Sequence, residues 1–312
     1  MGFNKVIVFG PTGNIGSIAA QTATKKGAKV YLAMRDPSKT IPGLSSQAEK
    51  EGKYERVQAD LTDAKTVQAA VEKSSAQAAF IYLAHGSQDH MLSTFQALKD
   101  GGIQFVVFLS SFTLQRDELT TISPSELISY IHAQAELSLR KVFSKEHLVA
   151  VRPGGFATNV LQHKPGIIDR KVKLVDTAAE FDWITNDDMG EVSGTVLVDG
   201  QKDGEDVIFL FGPELLPAKT AFEIVGKALG ENIEVLTVGP EEGLKEYVRG
   251  GMPEPIAKYL VDRIQDGIKS GKGNMGFRGV THGEGVENVA KYIGRPAMTF
   301  EEWASKNKEI FS

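Results

Sequence analysis

A chain of 312 residues, 41% hydrophobic and 24% charged, has the makeup of an ordinary globular protein, long enough for one large domain and a lobe. The net charge is −5 and the lysines and arginines are scattered, so the basic stripe of a nucleic-acid or anionic-membrane binder is excluded. Cysteine is absent, which removes disulfides, thiolate nucleophiles and cysteine-held zinc. No apolar run nears the ~20 residues that cross a bilayer, and the opening Met-Gly-Phe-Asn-Lys lacks the blocks of a secretory signal. A cytoplasmic protein is expected.

Short apolar runs alternate with segments of helical period through the first half of the chain. The pattern predicts strands at 6–9, 29–34, 55–59, 79–83, 104–109 and 148–151, and helices at 15–25, 64–72, 90–99 and 126–143. This βαβ rhythm implies an α/β fold, a doubly wound parallel sheet of Rossmann type over residues 1–152. After Pro153 the polar, glycine-bearing "RPGGFATN" opens a smaller α+β lobe, expected over 153–184 and 213–312 and assigned to substrate. Between those parts, about 185–212, the chain is expected to rejoin the sheet. There Asp187 or Asp188 caps a helix and "DVIFLFG" supplies a strand. The stretch from Pro217 to Ser312 is expected to pack over the carboxyl edge of the sheet, where open α/β sheets bind ligands.

The first strand runs into Gly10, Gly13 and Gly16 and then an alanine-rich helix. In that context the first glycine permits a tight turn, the second lets backbone approach a pyrophosphate, and the third lets helix pack on sheet. At the end of the second strand an acid favours a free ribose 2′-hydroxyl and an arginine a 2′-phosphate. The residue there, nineteen after Gly16, is Arg35, with Asp36 following and Lys39 one turn on. NADP(H) is therefore expected rather than NAD(H), with Thr12 offering a hydroxyl to the same phosphate. "QADLTD" places Asp60 and Leu61 where a carboxylate accepts from an adenine amine and a leucine covers a ring face. "YLAHG" places small Ala84 and Gly86 where a cofactor passes close to backbone.

Taken together, GPTGNIG, RDPSK, QADLTD, "HAQAEL" and "RPGGFATN" resemble the NmrA-like proteins, an atypical branch of the short-chain dehydrogenase/reductase superfamily, and "RPAMTFEEW" resembles that family's carboxyl end. The resemblance implies cofactor contacts at Gly10, Thr12, Gly13, Asn14, Ile15, Arg35, Lys39, Asp60, Leu61 and Ala84. It also lays the segment from Pro153 to Phe156 beside the nicotinamide. It leaves the chemistry open, because the family includes NADP(H) sensors without turnover as well as reductases of quinones, imines and phenolic or alkaloid substrates.

Typical short-chain dehydrogenases pair a catalytic tyrosine with a lysine four residues on, which lowers the phenol pKa. Here Tyr130 is followed by Gln134, so that dyad is missing. Ile128, Ile131, Ala135, Leu139 and Val142 form an apolar stripe that Tyr130 faces away from, whereas His132 and Glu136 lie on its flank. His132 is the candidate proton donor, or else a structural histidine paired with Glu136 or touching the cofactor ribose. Ser110 and Ser111, after the strand "FVVFL", are candidates to orient a substrate oxygen, or else turn serines. Trp183, Met189, Met252, Met275 and Phe277 offer apolar surface for a bulky or aromatic substrate, or else core. His85, His90, His147, His163 and His282 show no metal-ligand spacing, and no metal is expected. Two readings follow: an NADPH-dependent reductase of a small hydrophobic carbonyl, imine or activated alkene, or an NADP(H)-binding sensor acting through a regulatory protein partner.

Overall fold

In the computed structural model, which describes residues 2–114, 119–270 and 280–312, the chain packs as two compact units. The first comprises Met1–Pro153, Asn186–Leu210 and Glu287–Arg295, the second Gly154–Thr185, Phe211–Val286 and Pro296–Ser312. Up to the first crossing the chain forms β1 (Lys5–Phe9), α1 (Asn14–Lys25), β2 (Lys29–Met34), α2 (Ser46–Glu51), β3 (Glu55–Gln58), α3 (Ala64–Ser74), β4 (Ala78–Tyr82), α4 (Leu92–Asp100), β5 (Phe105–Leu109), α5 (Leu127–Val142) and β6 (Leu148–Pro153). Beyond it come α6 (Lys164–Ile168), β7 (Lys171–Leu174), β8 (Glu180–Phe181), α7 (Asn186–Asp199), β9 (Val207–Leu210), β10 (Leu216–Pro217), α8 (Ala218–Leu229), β11 (Glu234–Thr237), α9 (Pro240–Arg249), α10 (Glu254–Ser270), α11 (His282–Ile293) and α12 (Phe300–Lys306).

The first unit is a doubly wound α/β layer structure of Rossmann type. Its seven strands lie in the order β3-β2-β1-β4-β5-β6-β9, every neighbouring pair parallel. Near-continuous apolar runs such as Phe105–Leu109 suit strands covered on both faces, and four of those five residues are buried. The winding reverses between β1 and β4, which opens a crevice at their carboxyl ends. One helix, α2, carries no apolar period and no buried residue. It is held at its start by Ser45, whose Oγ accepts from Ala48 N at 3.1 Å.

α7 begins at Asn186, so Asp187 and Asp188 sit in its first turn and neither is the cap expected from sequence. There they still meet the positive end of the helix dipole. Asp188 is fully buried and accepts from Arg295 Nη1 at 2.7 Å, while Glu191 accepts from Nη2 at 3.0 Å. Asn288 Nδ2 donates to Phe209 O at 3.0 Å. These bonds hold 287–295 in the first unit.

The second unit has its own core, in which Trp183, Phe222, Phe300, Trp303 and Phe311 are buried. Two small sheets flank it, β7 with β11 in parallel and β8 with β10 antiparallel. α12 starts in a reciprocal cap between Thr299 and Glu302.

Candidate cofactor site

The glycine turn follows β1. Gly10 adopts φ +70° and donates to Ala33 O at 3.1 Å, and Gly13 donates to Gly10 O at 3.1 Å. A Cβ on Gly16 would stand 2.4 Å from Gly10 O, so α1 can start against this turn only with glycine there. Gly13 is the N-cap and offers no side chain to the first-turn N–H groups. Thr12, Gly13 and Asn14 are exposed and Ile15 is half-buried.

At the end of β2, Arg35 is exposed, and among the described residues its guanidinium has no hydrogen-bond or ion-pair partner. Asp36 is folded back on Ser38, its Oδ1 accepting from Ser38 N at 2.9 Å and Ser38 Oγ at 2.6 Å, contacts that hold its carboxyl below the usual range. Lys39 is also exposed. Beneath this loop lies Arg56, which the sequence analysis did not single out. It donates to Pro37 O, to Lys39 O at 2.7 Å, and from Nε to Glu49 Oε2 at 2.8 Å.

At the end of β3, Asp60 Oδ1 accepts from Thr62 N at 2.9 Å and Thr62 Oγ1 at 2.8 Å. Those two bonds, with Arg35 adding its charge, hold the Asp60 carboxyl below its ordinary range. Leu61 is 6% exposed and belongs to the core beside Val67, which leaves little of its side chain to cover a ring. At the end of β4, Tyr82 lies against the glycine turn, its Cε1 2.4 Å from where a Cβ on Gly10 would stand. It is 40% exposed, and both Arg35 and Asp60 act on its hydroxyl electrostatically. Tyr82 is a site residue that the sequence motifs did not single out; its signal was an aromatic residue closing a strand next to the switch point. Ala84, half-buried, donates its N–H to Met91 Sδ at 3.3 Å.

On α5 the buried face runs through Ser129, Ala133 and Glu136 as well as Ala135 and Leu139, and Ile128 and Ile131 are only half-buried. The expected apolar stripe is therefore fully buried only at Ala135 and Leu139, with Val142 half-buried as well. Glu136 is fully buried and belongs to Arg152, not to His132. Its carboxylate accepts from Arg152 Nε at 2.9 Å and Nη2 at 2.7 Å, and Ser110 Oγ donates to Oε1 at 2.6 Å. His132 Nδ1 is buried and has no hydrogen-bond partner among the described residues. Burial pushes the His132 pKa down to about 4, with Glu136 opposing and His85 reinforcing the shift. Tyr130 meets His90 edge to face at 6.0 Å.

Pro153 is buried at the end of β6, its carbonyl accepting from Phe112 N at 3.0 Å. In the second unit, half-buried Phe156 bridges to Ile184. Trp183 and Met189, read as possible substrate surface, are core residues 5% and 0% exposed. Met252 is half-buried, and Met275 and Phe277 lie outside the described residues.

A model of the NmrA-like family matches residues 3–304. A nitrogen metabolite regulation-like protein of Gibberella fujikuroi is 32% identical, over 97% of this chain and 96% of its own length. Among solved structures, an NADPH-dependent quinone oxidoreductase from Escherichia coli complexed with NADPH aligns with a TM-score of 0.72 at 17% identity, covering 98% of this chain and 100% of that one. A triphenylmethane reductase from Citrobacter sp. complexed with NADP(H) aligns at 0.70 and 15% identity, covering 97% and 99%. At such identities the two structures speak for the fold. With the family model and the 32% identical relative, the chain belongs to the NmrA-like family.

Proposed function

We propose that the chain binds NADP(H) and acts as an NADPH-dependent reductase of a carbonyl, imine or activated alkene in a small hydrophobic or aromatic molecule. The observation that carries the cofactor is Arg35, an exposed guanidinium beside the glycine turn, while Asp36 is occupied by Ser38. An arginine in that place suits a 2′-phosphate, and Lys39 supplies a second charge. The uncapped start of α1, with Thr12, Gly13, Asn14 and Ile15, suits a pyrophosphate, and Gly10 keeps the turn tight. Asp60 and Ala84, with Tyr82, line the adenosine end in this reading, and Pro153 and Phe156 the nicotinamide end.

When bound, NADPH supplies the hydride. His132 is then a neutral imidazole at pH 7, since burial holds its pKa near 4. In that state it stabilises a developing oxyanion by donating a hydrogen bond and not by giving up a full proton. Ser110, bound to Glu136, fixes the exit of β5 on the substrate side.

A second reading, an NADP(H)-binding regulator acting through a protein partner, draws support from Gln134 in place of a lysine and from the regulation-like relative. The test is to mix protein and NADPH with a panel of quinones, imines and enones and follow cofactor absorbance. Oxidation above the blank is expected; none across the panel, with NADPH still bound, selects the regulator. Failure to bind NADPH at all overturns both.

A further inference from the structure

Asp182 is an acid between Phe181 and Trp183, buried to 1% exposure in the second unit. Its Oδ1 accepts from Gly155 N at 2.7 Å and its Oδ2 from Gly212 N at 2.9 Å. A Cβ on Gly154 would stand 2.3 Å from both carboxylate oxygens, so the glycine pair of "RPGGF" is shaped around this one side chain. The same segment is then zipped along 182–184 by the Phe156–Ile184 bridge and by Ala157 N donating to Ile184 O at 2.8 Å. Trp183 adopts φ +48°, a strained conformation for a bulky residue, and is anchored through Nε1 to Leu216 O at 3.0 Å.

Among the described residues no charged side chain balances this acid. Burial pushes its pKa up to about 6, opposed only by the N–H groups of Gly212, Gly155, Asp182 and Ile184. The titratable neighbour across Gly212 is His282, whose Nε2 lies 2.8 Å from Gly212 O. A buried acid without a counter-charge is a poor choice for mere packing. A carboxylate is, however, a side chain with two acceptor oxygens and no donor, which is what two converging N–H groups require. An asparagine would set its NH2 against one of them.

We infer that Asp182 is a positioning residue for the nicotinamide end of the cofactor, its carboxylate holding the Gly154–Gly155 turn that follows the carboxyl end of β6 in binding shape. The inference rests on the NADP(H) reading above and names the side chain that shapes that end of the site. Parallel sheets place ligands at the carboxyl ends of their strands, and this turn is the first backbone beyond one of them.

The experiment compares two ligands: NADPH, and 2′-phospho-ADP-ribose, which keeps the 2′-phosphate and the pyrophosphate but has no nicotinamide. At pH 7.5, Asp182→Asn should weaken NADPH binding about tenfold, the scale of one charge-assisted hydrogen bond, and leave 2′-phospho-ADP-ribose binding unchanged. A general loss of structure would weaken both. In wild type the ratio of the two affinities should fall as pH drops through about 6, where the carboxyl gains its proton, and Asp182→Asn should flatten that dependence. The 2′-phosphate titrates in both ligands and cancels in the ratio. Should Asp182→Asn fail to fold, Gly154→Ala, which presses a methyl group on the same carboxylate, should give the same split. Equal effects on both ligands, no effect on either, or a flat wild-type ratio overturns the inference alone. Wild type that binds neither ligand overturns the NADP(H) reading, and the inference with it.

Discussion

Arg152 grips Glu136 through two hydrogen bonds, Nε to Oε1 at 2.9 Å and Nη2 to Oε2 at 2.7 Å, with both side chains fully buried. Arg152 also donates to Leu114 O at 3.2 Å and lies over the Phe209 ring at 5.6 Å, so the pair joins α5 to β6 and β9. Removing one partner of a buried pair strands the other charge and costs about 3–5 kcal/mol, whereas an apolar replacement of both can be near neutral. Arg152→Met should therefore lower the unfolding free energy measured by urea denaturation by an amount on that scale, and Arg152→Met with Glu136→Leu should recover most of it. A double variant as unstable as the sum of the two singles would mean that the two side chains act independently and are not coupled as a pair.

Among the described residues the Arg35 guanidinium has no hydrogen-bond or ion-pair partner, so its loss should not touch the fold. Arg35→Ala should weaken NADPH by roughly 10- to 100-fold, the scale of charge-assisted hydrogen bonds to a phosphate, and NADH by no more than about twofold. Titration of intrinsic protein fluorescence with each cofactor measures both. Equal losses would remove Arg35 as the discriminator.

Arg56 works one layer beneath, tying Pro37 O and Lys39 O to Glu49. Arg56→Met should free the loop that carries Arg35 and Lys39, lowering NADPH affinity several-fold and less than Arg35→Ala does. The two effects should not add, because a loosened loop has already misplaced Arg35. An additive double-mutant cycle would show that Arg56 does not act through that loop.

The glycine turn and all seven strands of the sheet, β9 through "DVIFLFG" included, were legible because their signals are local: glycines at fixed spacing, apolar runs of strand length, helical period between them. What escaped depends on contacts between distant parts of the chain. Glu136 and Arg152 are 16 residues apart, and nothing in the helix pattern said that a flank acid would be fully buried. Asp182 meets Gly155 across 27 residues and Gly212 across 30, so the glycine pair of "RPGGF" was readable and the acid that shapes it was not. Leu61 and Trp183 were read as ligand surface because an apolar side chain at a strand end or in a loop looks alike whether it faces a ring or the core. α2 escaped for the opposite reason, being polar on every face.

His132 carries a pH signature that can be read without any substrate. Burial lowers its pKa from 6.5 to about 4, so between those values the unfolded chain binds a proton that the folded chain refuses. Its contribution to stability is complete above pH 6.5 and is lost as the pH falls toward 4, with a loss on the order of 2 kcal/mol already at pH 5. His163 shifts in the same direction and Asp182 in the opposite one, and both remain in a His132→Gln variant. Subtracting the variant from wild type therefore isolates His132. Urea midpoints at pH 7.5 and pH 5 should show wild type losing about 2 kcal/mol more than His132→Gln across that interval. Equal acid sensitivity would mean that His132 is not held neutral, and its role as a neutral hydrogen-bond donor to a developing oxyanion would fall with that result.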